Sequence, residues 1–284
     1  ISGYEHNAVT RPLHAIPGVE IVVADAPLFD GDEMVRQFAA ALAQPVDAVI
    51  CTHVSNVFGF RLPVERIAAL CREKGVPFVL DASQSAGMLP VDMAALGAAF
   101  IAMPGHKGLY GPQGTGLLLC GERPARPLLL GGTGSASRDR QMPPTLPDRL
   151  EAGTHNMPGI AGLAEGLRFV KSRGVGAIAG HERRLARRCA EQLGNIPGVE
   201  VFYTPDDGAQ TGVLSFRAAG KDCEELGEAL ASRGVAVRAG LHCAPLAHRT
   251  AVTLDTGTVR CSFSAFNTAA QVDGFARIMR QIVR

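Results

Sequence analysis

Four lysines stand against twenty-four arginines in the 284 residues, and one of the four, Lys107, sits in GHKGLYGPQGTG, where five of twelve residues are glycine. Lys74, Lys171 and Lys221 lie in polar, helix-end contexts that suit solvated surface residues. Lys107 instead follows an apolar, strand-like run and a histidine. It reads either as a surface turn lysine or as an amine nucleophile, with flanking glycines that leave room for the group it attacks. A phosphate-gripping lysine is a third reading, but GxxxxGK[ST] occurs nowhere in the chain.

Other residues offer matching chemistry. Asp81 ends the apolar run VPFVL in DASQSAG. An acid there points into the crevice where open α/β sheets bind ligands. It could cap a helix, hold a magnesium ion, or fix a proton on a cofactor's ring nitrogen. His6 in YEHNAV and Asn56 in THVSNVFG are, taken singly, ordinary structural or turn residues. Cys243 lies in VRAGLHCAPLAH with His242 beside it, a loop with basic neighbours that keeps a thiol reachable and reactive. Cys51, Cys120 and Cys261 lie inside apolar runs and suit buried structural thiols. Arg238 and Arg260 fall in short strand-like segments, where a guanidinium either faces solvent or clamps a carboxylate with two parallel hydrogen bonds.

Positioning these groups requires a framework. Apolar runs at 19–25, 48–54, 77–83, 99–104 and 116–121 alternate with helical segments near 31–43 and 63–74. Such runs are the mark of strands buried on both faces, so the first half predicts a mostly parallel sheet between helices. Pro and Gly crowd residues 121–160, which predicts a long functional connection. A helical region over 160–194 follows. Strand-like VEVFYT, GVLSFRA, VAVRAG and TVRCSFS, a helix near 222–233 and a closing helix from about 268 then form an α+β unit. The domain boundary falls near 165–175.

Hydrophobic residues make up 46% and charged ones 19%, and the net charge is +1. That balance suits a globular protein and recommends neither nucleic acid nor an anionic membrane as partner. No apolar run approaches a membrane span, and a cytoplasmic protein is expected. Seven cysteines without a CxxC pair argue against zinc and against a disulfide framework. The chain opens Ile-Ser-Gly-Tyr, already in motif-like sequence, and reads as the continuation of something longer.

In order, EHNAV, THVSNVFG, DASQSAG, GHKGLYGPQGTG, RLEAGTHNMP, RAGLHCAP and VRCSFSAFNT span nearly the whole chain. This series resembles the class V aminotransferase-like enzymes dependent on pyridoxal 5'-phosphate (PLP), in their cysteine desulfurase and selenocysteine lyase branch. The resemblance implies PLP fold type I: a large α/β domain with a mostly parallel sheet over 1–165, lacking its N-terminal part, and a small α+β domain over 166–284. It implies a homodimer, L-cysteine as substrate and a sulfur-acceptor protein. By it, Lys107 is the Schiff-base lysine, His6 stacks on the cofactor ring, Asp81 pairs with the pyridine nitrogen and Gln84 contacts the phenolic oxygen. Asn56 lies near cofactor and substrate, His106 and Thr154 reach phosphate groups, Cys243 accepts sulfur, and Arg260 with Arg238 holds the substrate carboxylate. Pro104 stands where the desulfurases usually carry a serine, which removes a hydroxyl from the phosphate site. The family's helix N-terminus that cradles the phosphate would lie upstream of Ile1. Selenocysteine lysis or another class V reaction would use nearly the same residues, and a truncated, PLP-incompetent fragment is the non-enzyme alternative.

Overall fold

Three parallel strands begin the architecture: β1 (Val49–Thr52), β2 (Phe78–Asp81) and β3 (Phe100–Pro104), joined by β4 (Gly116–Cys120), which runs antiparallel to β3. These are seen in a computed structural model that describes residues 1–283. Their order in the sheet is β1-β2-β3-β4. Thr52 pairs with Asp81 and Asp81 with Ala102, so β1 and β2 end level and β3 runs two residues further, to Pro104. The loops carrying Asn56, Gln84 and Lys107 therefore leave a single sheet edge, the carboxyl edge at which such sheets bind ligands.

Helices α1 (Asn7–Ala15), α2 (Gly31–Ala41), α3 (Val64–Glu73) and the short α4 (Met93–Leu96) accompany this sheet. The apolar sides of α2, α3 and α4 join one core with Phe58, Phe60, Leu62, Ile67, Leu80 and Ile101, all essentially sealed from solvent. Each such side chain contributes about 1.5–3 kcal/mol by burial. Tyr4 packs edge-on to Phe60, with ring centroids 5.3 Å apart. This fixes the segment that leads into His6.

The second sheet is wholly antiparallel, in the order β5 (Val199–Phe202), β6 (Val213–Ala218), β8 (Thr258–Ser262), β7 (Arg238–Gly240). Its core includes residues of α6 (Val175–Gly194), α7 (Cys223–Ala231) and α9 (Ala269–Val283). Buried polar contacts tie the two sheets together: Ser215 Oγ donates to the Val57 carbonyl at 2.6 Å, and Gln210 Nε2 to the carbonyls of Phe58 and Val213 at 3.1 and 2.7 Å. Buried hydrogen bonds of this kind are costly to break because each leaves a desolvated group unpaired. They hold the Asn56 loop against the second sheet. Ala244 and Ala247, the latter in α8 (Pro245–Thr250), join the first core and bring the Cys243 turn up to it.

Three expectations need correction. Residues 19–25 do not form a strand; a single bridge joins Ala24 to Ser2, and Val19, Val22 and Val23 stay 40–50% exposed. An apolar run has no ladder unless a neighbouring strand offers its hydrogen-bonding groups, and here only Ile1 and Gly3, on either side of Ser2, do so. The helical region expected over 160–194 is two helices, α5 (Met157–Arg173) and α6, separated at Gly174, whose φ of 83° no helix tolerates. Cys120 is half-buried rather than enclosed, because β4 is an edge strand with Leu117, Leu118 and Leu119 at 36%, 50% and 38% exposure. The long connection stands as expected, without helix or strand from 121 to 156.

Candidate active site

Lys107 follows β3 by three residues and is half-buried. Burial holds its amine below the ordinary lysine range, opposed by the nearby Asp81 carboxylate and reinforced by Arg260. A depressed amine keeps a larger unprotonated fraction, which is what a nucleophile requires. The glycines around it have a different task from the one expected. A Cβ at Gly108 would lie 2.4 Å from the Ala86 carbonyl oxygen, and one at Gly87 (φ 83°) 1.9 Å from that of Gly108. They let the DASQSAG turn and the lysine loop press backbone on backbone. Gly166 of α5 likewise meets the Leu109 carbonyl at 2.3 Å from its would-be Cβ. Close packing thus fixes the loop that carries the lysine.

Asp81, at the end of β2, accepts a hydrogen bond from Ser83 N–H at 2.8 Å through Oδ1. One carboxylate oxygen shapes the turn and the other remains for a ligand. His6 caps α1: its Nδ1 accepts from Ala8 N–H at 3.0 Å. That bond leaves the proton on Nε2, and burial, then the Lys107 charge, holds the ring below its usual range, so the imidazole is neutral near pH 7. The plain structural roles weighed for Asp81 and His6 are real, and each coexists with a position beside Lys107.

Arg238 and Arg260 stand directly opposite each other on β7 and β8. Like charges so placed repel. Burial and then the Arg238 charge push Arg260 below its ordinary range. Arg260 donates to the Asn56 carbonyl at 2.8 Å, and its buried Nε has no partner. An anion bridging the two would relieve both deficits, and a carboxylate fits the planar guanidinium fork.

Cys243 is exposed, while the other thiols are buried or, for Cys120, half-buried. Its basic neighbour proves not to be a cation. His242 is 5% exposed, with Nε2 3.2 Å from both the carbonyl and the hydroxyl of Thr258, and burial pushes it down to about 3. Any positive charge near the thiol comes from the arginines.

The structure therefore gathers His6, Asn56, Asp81, Lys107, Arg238, Arg260 and Cys243 between the carboxyl edge of the first sheet and the paired strands β7 and β8 of the second. Gln84 lies on the turn after Asp81, half-buried, whereas His106 and Thr154 are exposed. Among the described residues, no hydrogen bond joins these three to the cluster. Sequence reasoning missed Glu5, whose Oε1 accepts from Ser2 Oγ at 2.5 Å and Thr52 N–H at 2.8 Å and so pins the His6 segment to β1. Burial first of all raises its carboxyl to about 7. Only its adjacency to His6 could have drawn attention to it.

A mostly parallel sheet followed by an antiparallel α+β unit, with lysine and aspartate at the sheet's carboxyl edge, matches the fold type I of PLP-dependent enzymes. The family model for aminotransferase class-V matches residues 1–275, and the chain belongs to that family. A probable cysteine desulfurase of Mycolicibacterium paratuberculosis is 37% identical over 99% of this chain and 42% of its own length. One of Xylella fastidiosa is 34% identical over 99% of this chain and 68% of its own. The chain thus spans less than half the length of the first of these curated relatives. Among solved structures, an apo cysteine desulfurase of Thermococcus onnurineus superposes with a TM-score of 0.88 at 29% identity, covering 99% of this chain and 71% of that one. A cysteine desulfurase of Escherichia coli gives 0.85 at 26%.

Proposed function

We propose that this chain carries the catalytic residues of a PLP-dependent cysteine desulfurase, converting L-cysteine to alanine and leaving a persulfide on Cys243. The observation that carries this reading is the convergence of a depressed lysine, a half-engaged aspartate, two opposed arginines and the one exposed cysteine among the described residues. The likeness to cysteine desulfurases supports it.

The residues fit the cofactor's reactive end. Lys107 would hold PLP covalently, Asp81 would keep a proton on its ring nitrogen, His6 would lie against the ring face and Gln84 would reach its phenolic oxygen, with His106 and Thr154 exposed for phosphate contacts. Bound there, PLP would supply an electron sink for the substrate's α-carbon. Arg260 and Arg238 grip the substrate carboxylate and fix the orientation of the amino acid. The Lys107 amine would take and return the α-proton. Neutral His6 adds no positive charge beside these exchanges. The Cys243 thiolate then attacks the substrate sulfur. A sulfur–sulfur bond forms as the Cβ–sulfur bond breaks, so that the thiol and L-cysteine together become a persulfide and alanine. A homodimer and a separate sulfur acceptor complete the proposal.

The test is mass spectrometry of the PLP-supplemented protein after L-cysteine, together with alanine release. A gain of one sulfur on the Cys243 peptide, absent in Cys243→Ala, is expected. Alanine formation that persists undiminished in Cys243→Ala would sink the proposal.

A further inference from the structure

The turn presenting the thiol is built from two successive residues in the left-handed region, His242 (φ 52°) and Cys243 (φ 57°). Neither is glycine, so both Cβ atoms crowd their own backbone, and such a turn persists only when its surroundings hold it. Three elements do so. From the start of α1, Asn7 N–H donates to the Cys243 carbonyl at 2.7 Å. From the loop after β1, Asn56 Nδ2 donates to the His242 carbonyl at 2.8 Å. From β8, the Thr258 carbonyl and hydroxyl meet the His242 ring.

Asn56 has the central place among them. It is 7% exposed, and while its side chain holds the thiol turn, its own carbonyl accepts from Arg260 at 2.8 Å. One N–H of its amide is spent on protein backbone, 186 residues away in sequence, while its Oδ1 is buried without a partner among the described residues. We propose that Asn56 is a positioning residue for Cys243: its side-chain amide fixes the strained turn, and its backbone carbonyl sets Arg260, so that one residue aligns the carboxylate grip with the sulfur acceptor. The alignment takes its catalytic meaning from the desulfurase reading above, while the clamp on the turn stands independently of it.

Asn56→Asp keeps the side chain's size, removes the amide donor and leaves the backbone carbonyl on Arg260. Amide hydrogen exchange in residues 241–244 should quicken at least tenfold in this variant, with exchange over β5 and β6 unchanged. Turnover of L-cysteine by the PLP-supplemented protein should lose at least tenfold in kcat while KM stays within about threefold. A residue that merely contacts substrate would raise KM instead, and unchanged exchange at 241–244 would overturn the clamp outright. If the unsubstituted protein forms no persulfide, the desulfurase reading fails, and the exchange measurement still decides the clamp. Should the variant not fold, the Asn7 amide of the unsubstituted chain decides. At a helix's first residue it has no intrahelical partner, so exchange a hundredfold slower than an unstructured amide is expected, and exchange at the unstructured rate refutes the clamp.

Discussion

Glu182 offers a quantitative test of how the second sheet's helices meet the lysine loop. It lies in α6, 1% exposed, and its Oε1 accepts from Tyr110 Oη at 3.3 Å. Tyr110, three residues after Lys107, in turn accepts from Ala265 N–H at 3.0 Å. The other carboxyl oxygen of Glu182 is buried without a partner, and Gly212 leaves no room beside it, since a Cβ there would lie 2.7 Å from the Glu182 Cβ. Burial therefore raises the carboxyl to about 8, only partly offset by the tyrosine. Because the unfolded chain loses this proton near pH 4.5, the folded state binds more protons between there and about 8. The stability from the protonated carboxyl is complete below the unfolded value and is lost as pH rises through the folded one. Each pH unit inside that window removes about 1.4 kcal/mol, so from pH 5 to 8 an upper bound is about 4 kcal/mol, and local relaxation reduces it to roughly 2–4 kcal/mol. Glu182→Gln stays neutral throughout. Urea unfolding at pH 5, 6.5 and 8.5 should show the two proteins within about 1 kcal/mol at pH 5 and the variant ahead by about 2–4 kcal/mol at pH 8.5. Glu5, also raised, cancels in this difference. Parallel stability curves across the range would refute the reasoning.

Other outcomes follow from the same geometry. Gly87→Ala forces a Cβ into the Gly108 carbonyl at a positive φ, and a loss of roughly 3 kcal/mol or more in urea unfolding is expected; a loss below about 1 kcal/mol would show that the two loops are not pressed together. Borohydride reduction after adding PLP should leave a pyridoxyl adduct on Lys107 and on none of the other three lysines, read by peptide mass, and no adduct in Lys107→Ala. Arg260→Lys retains charge but loses the planar fork, so KM for L-cysteine should rise about tenfold to a hundredfold with a smaller change in kcat; an unchanged KM would remove Arg260 from the substrate grip.

Much of this was legible in the sequence because its signals are local. The apolar runs ending at Thr52, Asp81 and Pro104 mark β1, β2 and β3, and the motif residues lie just beyond them. The run at 19–25 misled because a strand is completed by its neighbour, and the hydrophobic pattern carries no record of whether that neighbour is in reach. The role of the glycines around Lys107 was hidden for a similar reason: Gly87 and Gly108 meet only once the chain is folded. Asn56 and His242 are 186 residues apart, and no spacing rule joins an asparagine in one loop to a strained carbonyl in another. His242 looked like a cation from its neighbours in sequence; its neutrality comes from Thr258 and burial, which are properties of the fold.

The leucines of β4 have a practical consequence. A strand whose outer edge offers unpaired amides and carbonyls, with apolar side chains open on both faces and no lysine, proline or bulge of its own to disrupt pairing, is a template for another copy of itself. Association through this edge would grow with protein concentration by mass action, and a single charge introduced at Leu118, the most exposed of the three, should suppress it, read by light scattering against concentration.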